Sequence, residues 1–258
     1  DKFFNIDADK IEAAITKKTK AVLVVHLYGQ AANMRRIKEI TDQYDLFLVE
    51  DCAQSHGAKF DNRTTGTWGD IGCISFYPTK NLGAFGDAGC IVTDNYDIYE
   101  KIHMMRNYGS KIKYQNDVLG VNSRLDELQA ALLNVKLRHY PDLKKERILL
   151  AEKYLRLINN KKIKLPEIRD GADAIWHLFV VKMENRDHFQ EYLSTNDIGS
   201  QIHYPIPPHL SKAYDYLGFQ KGDFPITEDY AETIISLPMF DGMTDEEVMY
   251  VIGVINRY

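Results

Sequence analysis

A chain of 258 residues with 45% hydrophobic content can bury one generous core or two modest ones, which argues against disorder and admits a catalytic domain with a smaller one appended. Its 32 Lys and Arg stand against 37 Asp and Glu, a formal net charge of -5, and without a basic run to neutralise a phosphate backbone it is a poor partner for nucleic acid. The longest aliphatic stretch near the start, residues 21–25, is far too short to cross a bilayer, and no charged-then-apolar leader opens the chain.

Three cysteines, Cys52, Cys73 and Cys90, lie in separate apolar segments. An odd number without metal-ligand spacing suits buried thiols in a reducing compartment, so a soluble cytoplasmic protein with no membrane partner and no metal site is expected.

In chain order, Lys20-Ala21-Val22-Leu23-Val24-Val25 is a continuous aliphatic, β-branched run that predicts a strand. A loop with Gly29 follows, and then Met34, Ile37, Ile40 and Tyr44 recur at near-helical spacing. Leu46-Phe47-Leu48-Val49 is again apolar at every position, so the three pieces predict a βαβ unit in a parallel sheet covered on both sides. Residues 71–77 and 90–93 read as two more strands, joined by a tight, glycine-rich linker that contains Lys80.

A helix is predicted over 124–137, with Leu125, Leu128, Leu132 and Val135 on one side, and a second, more charged helix over 143–157. The texture then changes. Strand-like stretches at 177–181 and 198–204 alternate with shorter helices, and the last helix opens on the capping box Thr244-Asp245-Glu246-Glu247. These signals place a domain boundary near Arg138, giving 1–137 as a large domain and 138–258 as a small one.

Asp51 falls just past the carboxyl end of the second strand, the edge of an open α/β sheet where loops diverge and ligands bind. A carboxylate there is costly unless it meets a cation, and the pyridinium nitrogen of pyridoxal phosphate is such a partner. Most loop lysines are solvated surface groups. Lys80 differs because it sits among small residues at a sheet crevice, where partial desolvation lowers its pKa and makes the amine a nucleophile for an aldehyde. Gln54 can bond the ring hydroxyl oxygen, and small Ala53 lets a ring approach the backbone.

The stretches Val25-His26-Leu27-Tyr28-Gly29-Gln30, Glu50-Asp51-Cys52-Ala53-Gln54-Ser55-His56-Gly57, Ser75-Phe76-Tyr77-Pro78-Thr79-Lys80-Asn81-Leu82-Gly83 and Gly120-Val121-Asn122-Ser123-Arg124-Leu125 occur in that order. They closely resemble the DegT/DnrJ/EryC1/StrS family of sugar aminotransferases. Trp176-His177-Leu178, Gln201-Ile202-His203-Tyr204-Pro205 and Ser236-Leu237-Pro238-Met239 look like that family's small domain.

The resemblance implies an α/β fold of the aspartate-aminotransferase type, with a mainly parallel sheet in the large domain and a small α/β domain after it. It implies that Lys80 carries pyridoxal 5'-phosphate covalently, Asp51 pairs with the ring nitrogen, Gln54 contacts the ring hydroxyl and Ser75 binds the phosphate. Asn122 would reach the phosphate of a neighbouring subunit's cofactor, making a homodimer with shared sites. His177, His203, Tyr204 and His209 are the candidates for substrate contact.

Glutamate is the implied amino donor. The implied acceptor is a nucleotide-linked keto-deoxysugar, closest in look to a 3-oxo-6-deoxyhexose on thymidine diphosphate, in deoxyamino-sugar biosynthesis. The readings left beside it are a 4-oxo sugar aminotransferase, a non-catalytic relative, and a sugar dehydratase of the family, against which Lys80 argues because that branch has histidine there.

The family's members open with a segment that supplies phosphate-binding amides and an aromatic residue stacking on the ring, and Asp1-Lys2-Phe3-Phe4 reads like the middle of a domain. The 258 residues by themselves are therefore expected to bind the cofactor poorly and to be inactive. Titrating the isolated chain with pyridoxal phosphate checks this: the absorbance band of a lysine-linked cofactor would contradict it.

Overall fold

The computed structural model describes every residue from Asp1 to Tyr258 and divides into two compact units. One comprises Phe4–Lys144 with Arg169–His177; the other comprises Asp1–Phe3, Lys145–Ile168 and Leu178–Tyr258.

In the first unit, strand β1 (Ala21–Val25) leads through helix α1 (Met34–Gln43) to β2 (Phe47–Asp51). Asn33 starts α1 by accepting the Arg36 N–H with its side chain, which satisfies one of the amides a helix start leaves without a partner. Strand β3 (Ile71–Ser75) and strand β4 (Gly89–Val92) complete a four-stranded sheet in the order β1-β2-β3-β4. The first three strands are parallel and β4 is antiparallel to β3, so the sheet is α/β and mainly parallel, as expected.

The alternation of a strand divides this sheet into two unlike faces. Val22, Val24 and Leu48 are buried with Met34, Ile37 and Ile40 of α1 in one apolar cluster. Leu23 is 60% exposed and Phe47 58%, so the expectation of a sheet covered on both sides is corrected: α1 covers one face, and the other carries apolar side chains in the open. Runs apolar at every position signal a strand destined for two covered faces, but they do not specify which segment covers each.

Helix α2 (Tyr96–Met105) is capped by Asn95. Helix α3 then runs unbroken from Glu127 to Leu157 through Pro141, where two helices were predicted. Proline removes one backbone donor yet keeps a helical φ. Its neighbour Tyr140 is buried in a cluster with Leu82, Ala84 and Leu133, which holds the helix at the point where the proline would otherwise end it.

In the second unit, strand β5 (Phe179–Lys182) pairs antiparallel with β6 (Ile234–Leu237). Around them lie helix α4 (Arg186–Thr195), helix α5 (Pro225–Thr233) and helix α6 (Asp245–Arg257), the last opened by the predicted capping box between Thr244 and Glu247. Tyr154 packs edge-on against Phe179 at 5.0 Å between ring centres. The strand predicted over 198–204 is reduced to a single bridge from Gln201 to Ser236. Pro205, Pro207 and Pro208 follow it and have no N–H to extend a ladder.

Candidate active site

Two consecutive carboxylates end β2 and, by the same alternation, face opposite sides of the sheet. Glu50 faces inward and is fully buried. It accepts the backbone N–H of Gly66 (2.8 Å), Trp68 (2.7 Å) and Gly69 (2.7 Å), and His26 Nε2 lies 3.0 Å away. Burial works against its charge, but the His26 bond and the Gly66 and Gly69 amides override it and hold the carboxyl below its ordinary range. His26 Nδ1 accepts the Ala32 N–H, so its proton sits on Nε2 and is donated to Glu50. A side chain at Gly69 would put its Cβ 2.4 Å from the Leu48 carbonyl oxygen, and glycine is therefore required for the loop to reach Glu50.

Cys52 lies beside this pair, and the three together have the composition of a metal site. Burial, and then the Glu50 charge, push the Cys52 thiol up to about 12. With both His26 nitrogens and the carboxylate already engaged, the cluster is a satisfied polar core rather than a ligand set.

Asp51 faces the other way. It is opposite Cys73 of β3 in the parallel register, so Ser75, two residues further on, lies on the same face. The Asp51 side chain accepts the Ala53 N–H at 2.9 Å. Gln54, buried, accepts the Tyr28 N–H at 2.7 Å. Ser75 Oγ accepts the Tyr77 N–H at 3.2 Å, which leaves its own hydroxyl proton to donate elsewhere.

Lys80 sits in the linker between β3 and β4, its N–H bonded to the Tyr77 carbonyl at 2.8 Å. The turn closes at Gly83, where a Cβ would meet the Pro78 carbonyl oxygen at 2.3 Å. Burial pulls the Lys80 ammonium below the ordinary lysine value, and the Asp51 charge opposes part of that pull. The amine and the carboxylate are thus within electrostatic reach at one edge of the sheet. An amine biased towards its neutral form can take an aldehyde, and the carboxylate that acts on it can hold a cationic nitrogen.

The remaining candidates occupy unlike surroundings. Asn122 is exposed and bridges Asn107. His177 is buried; its backbone N–H donates to the Tyr28 carbonyl at 3.0 Å and its Nδ1 to Asn81 Oδ1 at 2.9 Å. The Asn81 amide in turn donates to the Ile175 carbonyl at 3.3 Å, so this histidine ties down the residue next to Lys80.

In the second unit, His203 Nδ1 lies 2.8 Å from Ser236 Oγ, and Tyr204 is exposed. His209 Nε2 meets Glu228 at 3.0 Å, and the same carboxylate accepts the N–H of Gly222 and Phe224 ahead of α5. Sequence reasoning did not single out Glu50, His26 or Asn81. Two adjacent carboxylates at the end of an apolar strand were the signal for Glu50, since alternation must bury one of them.

A model of the DegT/DnrJ/EryC1/StrS aminotransferase family matches residues 1–256. The dTDP-3-amino-3,6-dideoxy-alpha-D-galactopyranose transaminase of Aneurinibacillus thermoaerophilus is 48% identical over 255 residues, which cover 99% of this chain and 70% of that protein. The structure of Streptomyces venezuelae DesV in complex with a ketimine intermediate superposes with a TM-score of 0.95 at 40% identity, covering 98% of this chain and 68% of that one. Bacillus subtilis ntda with bound cofactor PMP is similar at a TM-score of 0.87 and 32% identity, covering 99% of this chain and 60% of that one.

Proposed function

This chain belongs to the DegT/DnrJ/EryC1/StrS aminotransferase family, and we propose that it transfers an amino group from glutamate to a nucleotide-linked keto-deoxysugar, with pyridoxal 5'-phosphate held at Lys80. The acceptor we propose is a dTDP-3-oxo-6-deoxyhexose, in keeping with the product named for the relative that is 48% identical. The single observation that carries the reading is geometric: Asp51 ends β2 on the same sheet face as Ser75 at the end of β3, and the linker that leaves Ser75 carries Lys80. The donor set fits the cofactor. Asp51 would hold a protonated ring nitrogen, Gln54 would face the ring hydroxyl and the Ser75 hydroxyl would donate to the phosphate.

When bound, the cofactor supplies an electron sink for the negative charge left on carbon. The chain supplies the rest. Asp51 would keep the positive charge on the ring nitrogen, and the Lys80 amine would both hold the cofactor and carry the proton to and from the substrate carbon. Glutamate leaves as 2-oxoglutarate, and the sugar carbonyl becomes an amine.

A homodimer with shared sites is part of this proposal. Asn122 is exposed in a stretch where Leu119 is 95% exposed, Val121 62% and Leu128 73%, an apolar surface of the kind that a second copy covers. His177, His203, Tyr204 and His209 are proposed as nucleotide-sugar contacts; of these, Tyr204 offers an exposed ring, suited to a stacking role. No helix is long and apolar enough to cross a membrane, the three cysteines are unpaired, and we place the reaction in the cytoplasm.

The reading is tested by giving the full-length protein glutamate with dTDP-3-oxo- and dTDP-4-oxo-6-deoxyhexose and identifying the products by mass spectrometry and NMR. The 3-amino sugar and 2-oxoglutarate are expected in equal amounts. A 4-amino product would move the site of amination, a product short of one water would indicate a dehydratase, and no product from either sugar would remove this substrate class.

A further inference from the structure

His56 lies in the loop after β2 and is 7% exposed. Its Nδ1 accepts the backbone N–H of Leu82 at 3.1 Å. A backbone amide can only donate, so the ring proton must sit on Nε2, which donates to the Ser75 carbonyl at 2.8 Å. One imidazole therefore spans the two ends of the segment that contains Lys80, joining the last residue of β3 to the chain two residues past the lysine.

The ring itself is held on several sides. Phe76 lies 5.9 Å away and Tyr140 6.4 Å between ring centres, and the Tyr140 hydroxyl donates to the His56 carbonyl at 2.6 Å. Burial first, and the Lys80 charge after it, lower its pKa to about 4. It stays neutral at physiological pH and keeps both hydrogen-bonding roles.

The proposed roles of Lys80 and Ser75 do not by themselves explain this brace. We infer that His56 is a positioning residue that fixes the span between the Ser75 hydroxyl and the Lys80 amine, so that the phosphate end and the aldehyde end of one cofactor are met together. The inference rests on the cofactor reading above. It follows from geometry: a bound group touching both residues needs their separation set, and the imidazole adds ties at the Ser75 carbonyl and the Leu82 amide to the backbone bond from the Ala84 N–H to the Phe76 carbonyl (2.8 Å) that closes the same segment.

Three substitutions in the full-length protein separate the two ties. In His56→Asn the amide oxygen can replace Nδ1 as acceptor for Leu82, and in His56→Gln the amide nitrogen can replace Nε2 as donor to Ser75; His56→Leu removes both. The readouts are the absorbance of the lysine-linked cofactor, borohydride reduction followed by peptide mapping at Lys80, and affinity for pyridoxal phosphate relative to pyridoxal.

His56→Leu is expected to weaken pyridoxal phosphate binding by about tenfold or more, the scale of losing two buried hydrogen bonds. His56→Asn should recover the Lys80 link but not the preference for the phosphorylated cofactor, and His56→Gln should do the reverse. Wild-type constants in all three variants, or equal losses in all three that track thermal stability, overturn the inference. A wild-type protein that itself forms no link at Lys80 defeats the cofactor reading and this inference with it, a result distinct from either.

Discussion

Lys80→Ala is expected to reduce amino transfer from glutamate by at least about 10³-fold, within the range over which a positioned acid or base contributes to rate, and to abolish the absorbance of a lysine-linked cofactor. The partly buried Lys80 amine is biased towards its neutral form by desolvation, against the pull of Asp51. The fold should be untouched: the Lys80 backbone bond to Tyr77 survives the change, and the unfolding midpoint should stay near that of the parent. Single-turnover measurement with glutamate and pyridoxal phosphate checks this. Retained transfer would remove Lys80 from the chemistry and with it the reason for placing the cofactor there.

Much of this arrangement was legible in the sequence because it depends on short-range rules. The continuous apolar runs of β1 and β2, with the helical spacing of Met34, Ile37 and Ile40, give the βαβ unit, and the end of β2 fixes the edge at which Asp51 lies. Lys80 could be singled out because a glycine-bounded turn between two strands brings it to that edge, and Gly83 makes the turn possible by its approach to Pro78.

What was not legible depends on partners distant in the chain. Nothing in Leu23 or Phe47 says that their face of the sheet is open while that of Val22 and Val24 is covered. Pro141 is a strong local breaker, and only the burial of Tyr140 beside it reveals why α3 continues. His177 and His209 read from sequence as substrate-facing groups, whereas the structure gives each a buried polar partner, Asn81 and Glu228.

The second large effect belongs to the carboxylate that does no chemistry. Glu50→Ala is expected to destabilise the first unit by about 3–5 kcal/mol, the usual cost of removing one member of a buried charged network. The cause is specific: the N–H groups of Gly66, Trp68 and Gly69 and the proton on His26 Nε2 all lose their acceptor inside the core. Glu50→Gln keeps the shape but turns an amide towards a ring of donors, so it should recover only part of the loss.

The same network makes stability depend on pH. The folded Glu50 carboxyl titrates below its ordinary value of 4.5, so its contribution is complete above that value and disappears as pH falls through the lower, folded one. Denaturant midpoints measured from neutral pH down to the acid range should therefore fall below about pH 4.5 in the parent, and fall less in Glu50→Gln, with unchanged slopes. Identical acid profiles for the two proteins would show that Glu50 is not ionised in the core. The alternation that buries Glu50 and turns Asp51 towards Lys80 would then lack its energetic cause, because an uncharged Glu50 would not need four donors to hold it on the inner face.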